Sequence, residues 1–167
     1  TVKGLDRNDP QGDKEILSVL SKMGCLVEWN GNSVTVTGPE KLSGGEFDLN
    51  SMPDTLPILA ITAAFANGDV HLTNVPQARI KETDRIATMC DNLKSLGADA
   101  QEEEDGILIH GKGSLKGGKA KGYGDHRIIM ALASAASGTE ESVFIDDIKA
   151  ASVTFPTFFD LYDSIRS

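Results

Sequence analysis

Ile80-Lys81-Glu82-Thr83-Asp84-Arg85 is the joint at which an apolar strand gives way to an amphipathic helix. Upstream, Val70-His71-Leu72-Thr73-Asn74-Val75 alternates apolar and polar residues as a half-buried strand does, and Pro76 closes it. Downstream, Ile86, Met89, Cys90, Leu93 and Leu96 recur at helical spacing up to Gly97, which makes Thr83 or Asp84 the N-cap. The charge here is unusual. A helix start carries roughly half a positive charge and favours acidic neighbours, yet Lys81 and Arg85 flank this one. Cations gathered where amide N–H groups already point outward form a receptor for an anion. A solvated cluster of local ion pairs is the plainer alternative.

Outward from the joint, the same order of elements stands on both sides. On the upstream side, Val2 to Leu5 predicts a short strand, and a helix from about Gly12 or Asp13 ends at Gly24. Cys25 to Trp29 and Ser33 to Thr37 predict a hairpin around Asn30-Gly31, Gly38 to Gly45 a loop, and Phe47 and Leu49 a brief extended piece. Asp54 then opens an apolar helix, Ile58 to Ala66, ended by Gly68. On the downstream side, Ala98 to Glu102 and Ile107 to His110 flank Asp105-Gly106, and Gly111 to Gly118 reads as loop. Asp125 opens a second apolar helix, Ile128 to Ala136, before a strand over Val143 to Ile148. Gly24 pairs with Gly97, Gly38 with Gly111, Leu42 with Leu115 and Gly45 with Gly118, which marks an internal duplication. The unit is β-α-β-β-α-β, with one outer amphipathic and one inner apolar helix. Units cover about 6–75 and 76–148, and a third begins near 149 with an outer helix from Phe155-Pro156 to Ile165. Three outer helices thus accompany two inner ones, which predicts an apolar groove where another inner helix belongs.

A chain of 167 residues suffices for one sizeable core. The formal net charge of −9 argues against a nucleic-acid or anionic-membrane surface, so an anion site has to be local. Cys25 and Cys90 lack the spacing of a zinc or redox motif and read as reduced core residues of a cytoplasmic protein. No apolar run reaches the roughly 20 residues that span a bilayer. Thr1 to Asp9 has the pattern of neither a signal nor a transit peptide, and a start without Met in mid-strand suggests a piece of something longer.

Because repeated units pack alike, a second anion-binding joint is expected at the matching helix starts. Gly122-Tyr123-Gly124-Asp125-His126-Arg127 supplies glycines, an N-capping Asp and two candidate cations. Its register partner in the first unit is Asp54, in Ser51-Met52-Pro53-Asp54, whose plainer role is an N-cap. His71 and His110 alternate with apolar strand residues and read as structural. Lys81, Arg85 and Arg127 are suited to clamp a carboxylate or phosphate, with Glu82 and Asp54 beside them to exchange protons.

Arg79 to Arg85, together with Gly124-Asp125-His126-Arg127, Pro53-Asp54 and Thr154-Phe155-Pro156, closely resembles the 5-enolpyruvylshikimate-3-phosphate synthase family over its C-terminal two fifths or so. The resemblance implies an α/β fold, an inside-out α/β barrel lobe of repeated units whose inner helices pack beneath an outer layer of sheets. It implies an incomplete C-terminal lobe, with substrates bound between it and an N-terminal lobe. The implied substrates are phosphoenolpyruvate and shikimate 3-phosphate. Arg85, Arg127 and His126 would hold the former, and Lys81, Gln77 and Asp54 the latter, with Asp54 as base and Glu82 moving a proton at the methylene carbon. Neither metal nor organic cofactor is implied, and the full enzyme is expected to be a cytoplasmic monomer. Where family members carry a phosphate-binding Lys before Thr-Phe-Pro, this chain has Val153, and Gln77 stands where an Asn is frequent. The related transferase acting on UDP-N-acetylglucosamine lacks both motifs. A non-catalytic repeat module with vestigial anion sites is the alternative from another class.

Overall fold

The computed structural model describes residues 1–166, and its strands repeat the pairing registers of one unit in the next. In chain order the elements are β1 (Val2–Lys3), α1 (Ile16–Lys22), β2 (Leu26–Asn30), β3 (Ser33–Thr37), β4 (Leu42–Asp48), α2 (Leu56–Ala64) and β5 (Ala66–Thr73). Then follow α3 (Arg85–Ser95), β6 (Asp99–Glu102), β7 (Ile107–Lys112), β8 (Gly118–Ala120), α4 (His126–Ala135), β9 (Val143–Ile145), α5 (Ala151–Thr154) and α6 (Phe158–Arg166). The β2–β3 hairpin pairs Leu26 with Thr37 and Trp29 with Val34, and the β6–β7 hairpin pairs Asp99 with His110 and Glu102 with Ile107, 73 residues later. The parallel pairs behave alike. Gly45 faces Val70 between β4 and β5, and Gly118 faces Val143 between β8 and β9, again 73 residues on.

Among the described residues three sheets result, ordered β1-β3-β2, β4-β5-β7-β6 and β8-β9. The middle one shows the plan: a parallel pair spanning an inner helix, extended antiparallel by the next unit's hairpin. Inner helices α2 and α4 pack on each other, and Leu56, Leu59, Ala60, Ile128 and Leu132 are wholly sequestered between the layers. Outer helix α3 contributes Ile86, Met89, Cys90 and Leu93 to the same core, while Asp91 and Ser95 face solvent. Gly24 (φ 102°) and Gly97 (φ 90°) end the outer helices in the left-handed region, which explains why the turn needs glycine in both units.

Of the loop expected over Gly38 to Gly45, residues 38–41 are loop, and 42–45 are instead the first half of β4. Gly44 brings the chain so close to β5 that a Cβ would lie 2.3 Å from the Asp69 carbonyl oxygen, and the register slips between Ser43 and Gly45. Glycines there serve a β-bulge with tight backbone approach rather than a loop. Gly118 likewise opens β8, and Ala66 starts β5 rather than ending α2. Beyond β9 the short helix α5 was not expected from sequence.

Along α4 and α6 runs a groove lined by Ser134, Ser137, Phe155, Phe158, Leu161 and Ile165, with Leu161 and Ile165 exposed. Tyr162 ties the two helices, its hydroxyl donating to the Ala133 carbonyl at 2.6 Å. No helix among the described residues is long and apolar enough to cross a membrane. Both cysteines are buried, and burial pushes the Cys90 thiol up to about 11. Iodoacetamide at pH 8 is therefore expected to label neither Cys25 nor Cys90 in the folded chain and both in urea, as read by intact mass. Rapid labelling of Cys90 without denaturant would contradict this packing.

Candidate active site

The joint before α3 is built from its own side chains. Asp84 is the N-cap, its Oδ1 accepting from the Ala87 amide at 3.0 Å, and its Oδ2 accepts from Arg79 Nη1 at 2.8 Å. Arg79 also donates to Glu102 Oε1 at 2.9 Å and to the Glu104 carbonyl at 2.7 Å, which pins the joint to the β6–β7 hairpin. With its cap satisfied, α3 presents Arg85 at its first turn toward the start of α4.

At that start Asp125 is the N-cap, its Oδ1 accepting from the Arg127 amide at 2.9 Å. Gly122 packs where a Cβ would lie 2.6 Å from the Asp147 carbonyl oxygen, and Tyr123 takes the left-handed conformation at φ 53°. A non-glycine residue in that region stores on the order of 1–3 kcal/mol of strain, held here beside the site.

Asp125 is completely buried and faces Arg85, whose side chain is only 1% exposed. The guanidinium donates through Nε to Asp125 Oδ2 at 2.8 Å and through Nη2 to Asp125 Oδ1 at 3.2 Å, a two-point contact. Its Nη1 donates to Asp54 Oδ1 at 2.9 Å and its Nη2 to Glu82 Oε2 at 2.6 Å. Asp54 further meets Lys81 Nζ at 3.2 Å and Arg127 Nη2 at 2.9 Å, and His126 Nδ1 lies 3.7 Å from Glu82 Oε1. Partial burial pulls the Asp54 carboxyl up, but the Lys81 hydrogen bond and the charges of Arg127, Lys81 and Arg85 outweigh it and hold the group below the usual carboxylate range. Burial works against the charge on Arg85, and Asp125, Glu82 and Asp54 more than restore it, so this arginine stays cationic.

The chain thus brings Asp54, Lys81, Glu82, Arg85, His126 and Arg127 into one cluster from three separate segments. Gln77 stands apart from these ion pairs: its amide donates to Asn50 through the backbone carbonyl at 3.0 Å and the side-chain oxygen at 3.2 Å. Val153 is 80% exposed at the end of α5. Asp54 makes no capping hydrogen bond, so the plainer role for it fails, because its carboxylate turns to the three cations instead. Arg85 is less open than a clamp read from sequence, since the helix starts lie close enough for Asp125 to enclose it. Sequence reasoning saw Asp125 only as a cap. Its second role had one signal, an Asp one helix start away from an unpaired Arg. Asp54 and Arg127 also border a cleft with Pro57, Ile58, Met130 and Phe158, so polar chemistry adjoins an apolar wall.

Comparison with known proteins shows the family of the chain. A family model described as EPSP synthase (3-phosphoshikimate 1-carboxyvinyltransferase) matches residues 1–161. A 3-phosphoshikimate 1-carboxyvinyltransferase of Acetivibrio thermocellus is 52% identical over 157 residues, 94% of this chain and 37% of the relative. One of Ruminiclostridium cellulolyticum is 46% identical over 159 residues, 95% of the chain and 37% of the relative. Among solved structures, EPSP synthase from Acinetobacter baumannii superposes with a TM-score of 0.81 at 30% identity, covering 94% of the chain and 39% of that protein. The enolpyruvyl transferase NikO of Streptomyces tendae, at 19% identity and a TM-score of 0.70 over 89% of the chain and 34% of its own, shares the fold. The chain therefore spans less than two fifths of the length of the relatives it matches, and over that span it belongs to the EPSP synthase family.

Proposed function

We propose that the chain is the C-terminal lobe portion, with repeat units near 6–75, 76–148 and from 149, of an enzyme that moves the enolpyruvyl group of phosphoenolpyruvate onto the 5-hydroxyl of shikimate 3-phosphate. The observation that carries this reading is the convergence of two carboxylates, Asp54 and Glu82, on three cations, Lys81, Arg85 and Arg127. Arg85 and Arg127 bind the phosphoenolpyruvate carboxylate with His126 beside them, and Lys81 and Gln77 bind shikimate 3-phosphate. Glu82 delivers a proton to the methylene carbon, and the adjacent carbon, now cationic, takes the 5-hydroxyl oxygen while Asp54 removes the hydroxyl proton. Loss of phosphate together with a proton from the new methyl group gives the product. The two arginines fix the reacting carbon in line with the hydroxyl.

The partner is the remaining N-terminal part of the same enzyme, which supplies the opposite wall of the cleft and most shikimate 3-phosphate contacts. Closure between the two walls keeps water from the cationic intermediate, so the 167-residue chain alone is not competent. The enzyme works as a cytoplasmic monomer. Fusing the chain to the N-terminal part of the Acetivibrio thermocellus relative tests the reading. The fusion is expected to restore growth without aromatic amino acids to a bacterium lacking its own EPSP synthase, and Glu82→Ala is expected to abolish that rescue. A folded, soluble fusion that gives no growth would overturn it.

A further inference from the structure

The three carboxylates around Arg85 are not equivalent. Asp125 is wholly buried and doubly committed, to Arg85 and to the start of α4. Glu82 sits on the irregular joint before α3 with its side chain 47% exposed, yet its Oε2 lies only 2.6 Å from Nη2. It covers one outer edge of a guanidinium that is itself only 1% exposed. Asp54 does the same at Nη1 and also holds Arg127 Nη2. An incoming carboxylate has the same charge and the same geometry as these two groups, so it competes with them for the same N–H donors.

We propose that Glu82 is an intramolecular plug on Arg85, and that an anionic ligand binds by exchange, taking the outer edge of Arg85 from Glu82. The inference rests on the reading of this site as a phosphoenolpyruvate site. Exchange suits a buried arginine: the guanidinium is never left without a partner, which would be far more unfavourable than swapping one carboxylate for another. It also couples binding to chemistry: the ligand that takes Arg85 frees the Glu82 carboxylate, which takes up a proton from solvent before delivering it to the methylene carbon. His126, whose Nδ1 is 3.7 Å from the other carboxylate oxygen of Glu82, Oε1, provides the partner for the released carboxylate.

Calorimetric titration of the fusion protein described above, which carries both walls of the cleft, with phosphoenolpyruvate tests this, comparing the unsubstituted fusion with its Glu82→Gln and Arg127→Ala variants. Glu82 is half-exposed, so the Gln variant is expected to keep the fold, which a melting curve checks. The plug predicts binding about two- to fivefold tighter in Glu82→Gln, the scale of a half-exposed ion pair. The gain persists at about 0.5 M salt, where a Debye length of roughly 4 Å removes long-range charge effects. Equal or weaker binding in Glu82→Gln, or a gain that vanishes with salt, overturns the plug, whereas no binding by either protein overturns the functional reading and the plug with it. Binding that is unchanged in Arg127→Ala instead overturns the functional reading, whatever Glu82→Gln does.

Discussion

Replacing Asp125 with alanine is expected to destabilise the chain by about 3–5 kcal/mol, the range for a buried ion pair that loses one member. Two losses combine. Arg85 keeps Asp54 and Glu82 on its outer edges but loses its acceptor at Nε with no solvent to replace it, since it is 1% exposed and Asp125 fills that side. The start of α4 also loses its cap, worth about 1 kcal/mol. Asp125→Asn retains an acceptor for both donors, so its loss is smaller. Urea titration followed by circular dichroism measures both. A cost below 1 kcal/mol for Asp125→Ala would mean that Arg85 finds another partner or water, and the enclosed arginine described above would be wrong.

The second large effect concerns substrate discrimination in the complete enzyme. Arg127→Ala is expected to weaken phosphoenolpyruvate by about 1.5–3 kcal/mol, the loss of one charged hydrogen-bonding partner, or roughly 10- to 150-fold. Shikimate 3-phosphate is expected to lose much less. The arginine is 35% exposed and its Nη2 contact is to Asp54, so its removal spares the core and the buried Arg85–Asp125 pair. Separate binding titrations for the two substrates decide the matter. Equal losses would place Arg127 between the ligands rather than on one of them.

Much of this organisation was legible in the sequence because the chain repeats. Matching glycines at Gly24 and Gly97 fixed the period, and the strand registers follow the same 73-residue step. The same step matches the starts of the two inner helices that pack together, but it sets Met52 against Asp125 and Asp54 against Arg127, so the pairing of Asp54 with Asp125 expected from sequence is two residues off. What escaped depends on distance between segments. Gly44 reads as loop because glycine lacks strand propensity, and only the approach to Asp69 makes it part of β4. Asp125 reads as a cap because capping is local, whereas its grip on Arg85 spans 40 residues. The burial of Arg85 belongs to the same class: a helix-start arginine is ordinarily solvated, and here α4 closes over it. Gln77 owed its place among the expected site residues to the family resemblance alone, and its partners prove to be on Asn50.

Phosphate release by the fusion with the Acetivibrio thermocellus N-terminal part tests the central claim most directly. The account predicts release that requires both phosphoenolpyruvate and shikimate 3-phosphate, falls by about 10²- to 10⁴-fold in Glu82→Ala as for a lost proton-transfer group, and is absent from the 167-residue chain alone. Release that is undiminished in Glu82→Ala, or turnover by the unfused chain, would contradict it.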